Sequence, residues 1–215
     1  MPSRDGTAGR YAWLLVLGLA VGWFEASVVV YLREILYPEG FRFPVASIPD
    51  RLAAVEIARE AASIALLAAA ARLAGRVFFE RFAAFMVLFG VWDLVYYGGL
   101  RLVLGWPGGL SDWDILFLIP VPWVGPVWAP CAVSAALVVA GSYLFWTADR
   151  PREPRPADWV AAIVGGLVVV LSFLADWRVV SEHRVPAAFP SWLFWAGFAL
   201  GLGALLRAEA RGRPG

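Results

Sequence analysis

Apolar residues fall into six long blocks along the 215-residue chain, each closed by arginines, acids, prolines or glycines. A helix rising 1.5 Å per residue needs roughly 20 apolar residues to cross the hydrocarbon core of a bilayer. The windows that reach this length are 11–32, 52–74, 82–104, 125–147, 158–177 and 189–206. They predict an all-α, polytopic membrane helix bundle of about six transmembrane helices, forming a single integral membrane domain. The second window is the most interrupted, because Glu56, Arg59 and Glu60 fall near its start. The first resembles a secretory leader in position only. It is long, contains Glu25 and has no cleanly separated small-residue cleavage site, so it reads as an uncleaved membrane helix.

The pattern breaks between the third and fourth windows. After Asp114 a short apolar run is interrupted by Pro120, Pro122, Pro126 and Pro130. Each proline lacks a backbone donor and clashes with a preceding helical turn, so one regular helix cannot hold them all. Residues 111–119 read as a short interfacial or re-entrant helix, with Ser111 and Asp114 spaced as a capping box. Irregular backbone at this depth needs cover from protein or from a wet cavity. The pair Asp112 and Asp114 also has the form of a weak metal-binding motif, against which stands the simpler reading as cap and surface polarity.

Composition supports the membrane reading. Hydrophobic residues make up 61% and charged residues 16% of the chain, with mean hydropathy +0.70. A soluble domain has roughly half and a quarter, enough polar surface to cover its core. A net charge of +1 gives no basis for nucleic-acid binding. The one cysteine, Cys131, excludes an intrachain disulfide and a thiolate cluster and reads as a small buried residue.

Every basic side chain is arginine, so orientation rests on arginine alone. With the N-terminus inside, eleven arginines fall in inner segments and five, Arg33, Arg42, Arg51, Arg178 and Arg184, in outer loops. The positive-inside rule therefore predicts a multi-pass protein of the cell (inner) membrane with both termini cytoplasmic. Residues 149–156 form a polar inner linker. Trp13, Trp146 and Trp159 fall near the inner boundary, and Trp106, Trp113, Trp123, Trp128, Trp177 and Trp192 near the outer one, as expected for headgroup-level anchors.

The candidate chemistry lies in the intramembrane charges. Glu25 is about 10 Å deep in the first helix, Glu56 and Glu60 about 6 and 12 Å deep in the second, and Asp93 about 16 Å from either face in the third, at 1.5 Å per residue. Glu56, Glu60 and Ser63 share one helical face with Arg59 to its side, and Glu25 shares a face with Arg33. A charge at mid-membrane costs roughly 2.5–3.5 kcal/mol, so these groups are expected to face inward, where they are protonated, paired or wetted. The outer half holds seven arginines against eleven acids, a net of −4 that favours a cation over an anion. The expected ligand-binding set is Glu25, Glu56, Arg59, Glu60, Asp93 and Arg101, with Glu25, Glu56, Glu60 and Asp93 as candidate ligands of a divalent metal. Asp112, Asp114, Asp176 and His183 are secondary candidates. The plainer alternative is an ion-pair network in which Arg59 neutralises Glu56, Glu60 or Glu25, and Arg101 neutralises Asp93 or Asp112. Asp176 then reads as interfacial and His183 as a solvated loop residue.

Three functions fit this pattern. The first is a cation- or proton-binding membrane protein, a small transporter or channel, which at this size calls for a homo-oligomer. The second is a metal-dependent or acid/base enzyme embedded in the bilayer, with Arg33, Arg59, Arg101 or Arg178 clamping the headgroup of a lipid-linked or hydrophobic substrate. The third is a non-catalytic subunit or assembly factor of a membrane complex. No nucleophile elbow, cysteine pair or histidine cluster singles out the enzyme.

Overall fold

The computed structural model describes residues 4–150, 152 and 154–211. Pro151 and Glu153 of the expected inner linker, and Arg213, lie outside the described residues. The chain runs α1 (Arg4–Leu36), α2 (Asp50–Ala74), α3 (Phe78–Leu104), β1 (Trp113–Phe117), β2 (Trp123–Pro126), α4 (Trp128–Trp146), α5 (Pro156–Leu174), α6 (Trp177–Ser181) and α7 (Ser191–Arg211). Six long helices thus occupy the six apolar windows. Four stretches, Gly6–Leu36, Trp128–Trp146, Pro156–Ser181 and Ser191–Arg211, are long and apolar enough to cross a membrane. The protein is a membrane-embedded helical protein.

The segment expected to form a short helix at 111–119 is instead β1, paired with β2 in a two-stranded sheet. The reason is local chemistry. Trp113, Ile115 and Phe117 favour extended backbone, and Pro120 and Pro122 turn the chain before a helix could propagate. The short connection permits only an antiparallel pairing. Without a helix, Ser111 and Asp114 have no cap to make. The one very short helix is α6, which lies between α5 and α7.

The described residues fall into two compact units, one from 1–113 with 126–148 and the other from 114–125 with 149–215. In the first, α3 packs against α1, α2 and α4, whereas α1 and α2 do not pack closely on each other. Successive helices alternate in direction. Arg10 Nη1 of α1 donates to the Ala74 carbonyl at the end of α2 at 3.0 Å, and Tyr11 OH meets Ser142 Oγ near the end of α4 at 2.6 Å. The α3–α4 crossing is tight at Gly90, where a Cβ would stand 2.5 Å from the Ser134 carbonyl oxygen. Only a hydrogen side chain permits that approach.

The second unit holds α5 antiparallel to α7, with Gly165 set against Gly197 and Gly201. Its ends are tied by polar pairs. Arg211 of α7 donates to Asp158 at the start of α5, and Arg152 Nε lies 2.5 Å from Glu209 Oε1. Phe173 anchors the opposite end, stacked on Trp123 and packed on Phe189 and Phe194.

Candidate functional site

Because α1 and α2 each rest on α3 rather than on one another, the groove between them is spanned by long side chains. Arg59 reaches from α2 to both of its carboxylate partners. Its Nη1 donates to Glu25 Oε1 of α1, and its Nε and Nη2 donate to Glu56 Oε2 at 2.9 and 2.8 Å. Ser63, one turn further along α2, donates to Glu25 Oε2 at 3.1 Å. The α2 face that carries Glu56 and Glu60 continues through Leu67 and Ala71, and all four are buried. Its acids therefore belong to the packed face of the helix, where spacings of four and seven residues align side chains.

The two ends of the triad are dressed differently. Both oxygens of Glu25 accept a hydrogen bond, one from Arg59 and one from Ser63. Glu56 receives both of its bonds on Oε2, which leaves Oε1 without a hydrogen-bond partner among the described residues. Two carboxylates share one guanidinium, so the ionised triad keeps one formal negative charge. The side chains of Arg59, Glu25 and Glu56 are 19%, 11% and 8% exposed, enclosed yet not sealed.

Comparison with protein-family models, curated proteins and solved structures gives no match to this chain. The geometry of the groove is therefore the ground for any functional reading.

The remaining expected site residues fall elsewhere. Asp93 faces α4, where Ser134 Oγ donates to its Oδ2 at 2.8 Å. The residues of α3 that meet α1, Val91, Trp92 and Val95, lie on a neighbouring face. Arg101 pairs with neither Asp93 nor Asp112. Its Nη1 donates to the carbonyls of Gly105 and Pro107 at 2.6 and 2.7 Å, closing the C-terminal end of α3. Asp112 Oδ2 accepts the backbone N–H groups of Gly108 and Gly109 at 2.7 and 3.2 Å, which makes it a loop-closing residue. Asp114 is buried in β1 and accepts the N–H of Ile115 at 2.9 Å. Asp176 precedes α6, where its backbone carbonyl accepts the N–H of Val180. His183 is exposed and left-handed, with φ 52°. Among the described residues no three His, Cys, Asp or Glu side chains come together as a metal-ligand set.

Two features were not anticipated from the sequence. Arg33, buried at 6% exposure, lays its guanidinium over the rings of Phe41 and Trp106, 4.0 and 3.7 Å from their centroids. Sequence separation hid this clamp, although an arginine beside an aromatic-rich loop is the signal for it. The second is Ser134 as the partner of Asp93. A serine in the middle of the fourth window was the available cue.

Proposed function

We propose that this protein binds a proton or a small cation at the Glu25–Arg59–Glu56 triad, as a transporter or channel of the cell membrane. The observation that carries the reading is the charge count at the groove, two carboxylates on one guanidinium. An uncompensated charge at this depth costs roughly 3 kcal/mol, a penalty that a bound proton or cation removes. Glu25 is held by donors on both oxygens and serves as the fixed partner of Arg59. Glu56, with Oε1 free of hydrogen bonds among the described residues, is the group that exchanges the proton or cation. The groove between α1 and α2 offers the access route, since long side chains rather than packed backbone fill it.

In this reading all six long helices span the bilayer. Helix α2 tolerates its charges because Glu56 and Glu60 lie on the packed face, and α3 is enclosed by α1, α2 and α4. Both termini are cytoplasmic by the arginine bias, which puts the triad in the outer half.

The test is flux into proteoliposomes holding the purified protein, after an imposed acid pulse, with Na⁺ or K⁺ as the counter-cation. Wild type should move protons or the cation at least ten-fold faster than empty vesicles, and Glu56→Gln should fall to the empty-vesicle rate. Wild-type flux equal to that of empty vesicles, or a fully active Glu56→Gln, overturns the proposal.

A further inference from the structure

At the end of the first unit opposite the Arg33 clamp, the α2–α3 connection gathers arginines among exposed apolar side chains. Arg72 closes α2, Arg76 sits in the link, and Arg81 lies in the first turn of α3. Around them Leu73, Val77, Phe78 and Phe82 are exposed at 87%, 54%, 58% and 40%. The Phe78 and Phe82 rings stack with an interplanar angle of 5°.

The charges at this turn are unequal. Glu80 is buried and is taken up by Arg10, whose Nη1 is 2.6 Å from Oε1, and by the backbone N–H of Arg76 at 2.7 Å. Counting Arg10, Arg72, Arg76 and Arg81 against Glu80 leaves a net of +3. The forks of the outer three are largely unspent. Arg72 makes no hydrogen bond or ion pair among the described residues. The Arg76 guanidinium approaches Glu80 with its Nε at 3.6 Å. Arg81 uses Nε on the Gly75 carbonyl at 3.1 Å, which pins the side chain across the turn and leaves both terminal nitrogens without a hydrogen bond among the described residues.

We infer that the α2–α3 turn is a binding site for the phosphate headgroup of an anionic phospholipid. Guanidinium forks match phosphate oxygens in pairs, and three of them at one turn supply more donors than a zwitterionic headgroup can hold without repelling its amine. Leu73, Val77, Phe78 and Phe82 lie beside them, where acyl chains and the headgroup boundary run past a helix end. Basic clusters at span ends recognise anionic lipids through this combination of charge and apolar contact. A soluble acidic protein partner would leave the exposed phenyl rings facing the hydrocarbon edge unused, so the bilayer itself is the occupant favoured by the observations.

The experiment is native mass spectrometry of the full chain released from micelles containing equal dioleoylphosphatidylglycerol and dioleoylphosphatidylcholine. Wild type should retain the glycerol lipid at least ten-fold over the choline lipid. Arg72→Gln with Arg76→Gln should bring that ratio close to one, while Arg42→Gln with Arg51→Gln, an equal loss of charge at the opposite end, should leave it unchanged. Both Arg72 and Arg76 are exposed, and an unaltered thermal midpoint of the variant keeps the comparison valid. Should that variant not fold, Arg72→Gln alone is read, with at least a three-fold fall expected. Equal retention of both lipids by wild type, or an unchanged ratio in the Arg72 variants, overturns the inference.

Discussion

Arg59 of α2 donates to Glu25 of α1, joining two helices that otherwise meet mainly through α3. Removing the guanidinium leaves Glu25 and Glu56 facing each other across an enclosed groove. Breaking a buried ion pair by deleting one partner costs about 3–5 kcal/mol. Arg59→Gln should therefore lower the thermal midpoint strongly in detergent, and Arg59→Gln with Glu25→Gln should recover much of the loss. A single variant as stable as wild type would show that the triad does not hold the helices.

The packing of α3 makes a contrast between two of its glycines. A Cβ at Gly90 would meet the Ser134 carbonyl oxygen at 2.5 Å, whereas at Gly98 nothing lies within 4 Å. Overpacking a tight interface costs about 1–3 kcal/mol. In an open helical position alanine gains roughly 0.5–1 kcal/mol over glycine. Thermal unfolding should rank Gly98→Ala at or above wild type and Gly90→Ala clearly below it.

Glu80 precedes the apolar stretch 82–104 and provides a pH signature. Burial alone would push its carboxyl up. The Arg76 backbone N–H, with the charges of Arg10 and Arg76, outweighs that and holds it below the ordinary 4.5. Since the folded value is depressed, the stabilisation is fully present above about pH 4.5 and is lost as pH falls through the folded value. Acid titration of the melting midpoint should show this fall in wild type, and Glu80→Gln should flatten that part of the curve. Identical acid profiles would remove Glu80 as its source.

The Arg33 guanidinium lies over Phe41 and Trp106. Lysine keeps the charge but not the flat face, and a desolvated cation–π contact is worth about 1–2 kcal/mol. Arg33→Lys is expected to loosen the loop between α1 and α2 and to raise protease cleavage within 37–49. Unchanged cleavage would show that charge alone holds the loop.

Much of this was legible in the order of residues. Long apolar blocks bounded by charges, prolines and glycines favour helices, whose backbone groups pair internally, and all six windows became helices, four of them long and apolar enough to cross a membrane. Periodicity placed Glu56 and Glu60 on one face of α2, and depth marked Glu25 as a charge in need of a partner. Arg59 was among the candidates for that role because it lies beside the same face. The hairpin was missed because a short apolar run fits helix and strand alike, and strand pairing depends on a partner found only after the chain turns.

What local pattern could not decide was which helices touch. Asp93 is an acid within an apolar helix, as Glu25 is, yet the rotation of α3 points it at Ser134 of α4 instead of the α1–α2 groove. Arg33 is separated from Trp106 by the whole of α2 and α3, and only the folded chain brings them together. The one-dimensional order determined the helices and their charged faces, because both follow from short-range spacing. Tertiary packing selected the pairs, because the azimuth of each helix is set by where its glycines and bulky side chains allow a neighbour to approach.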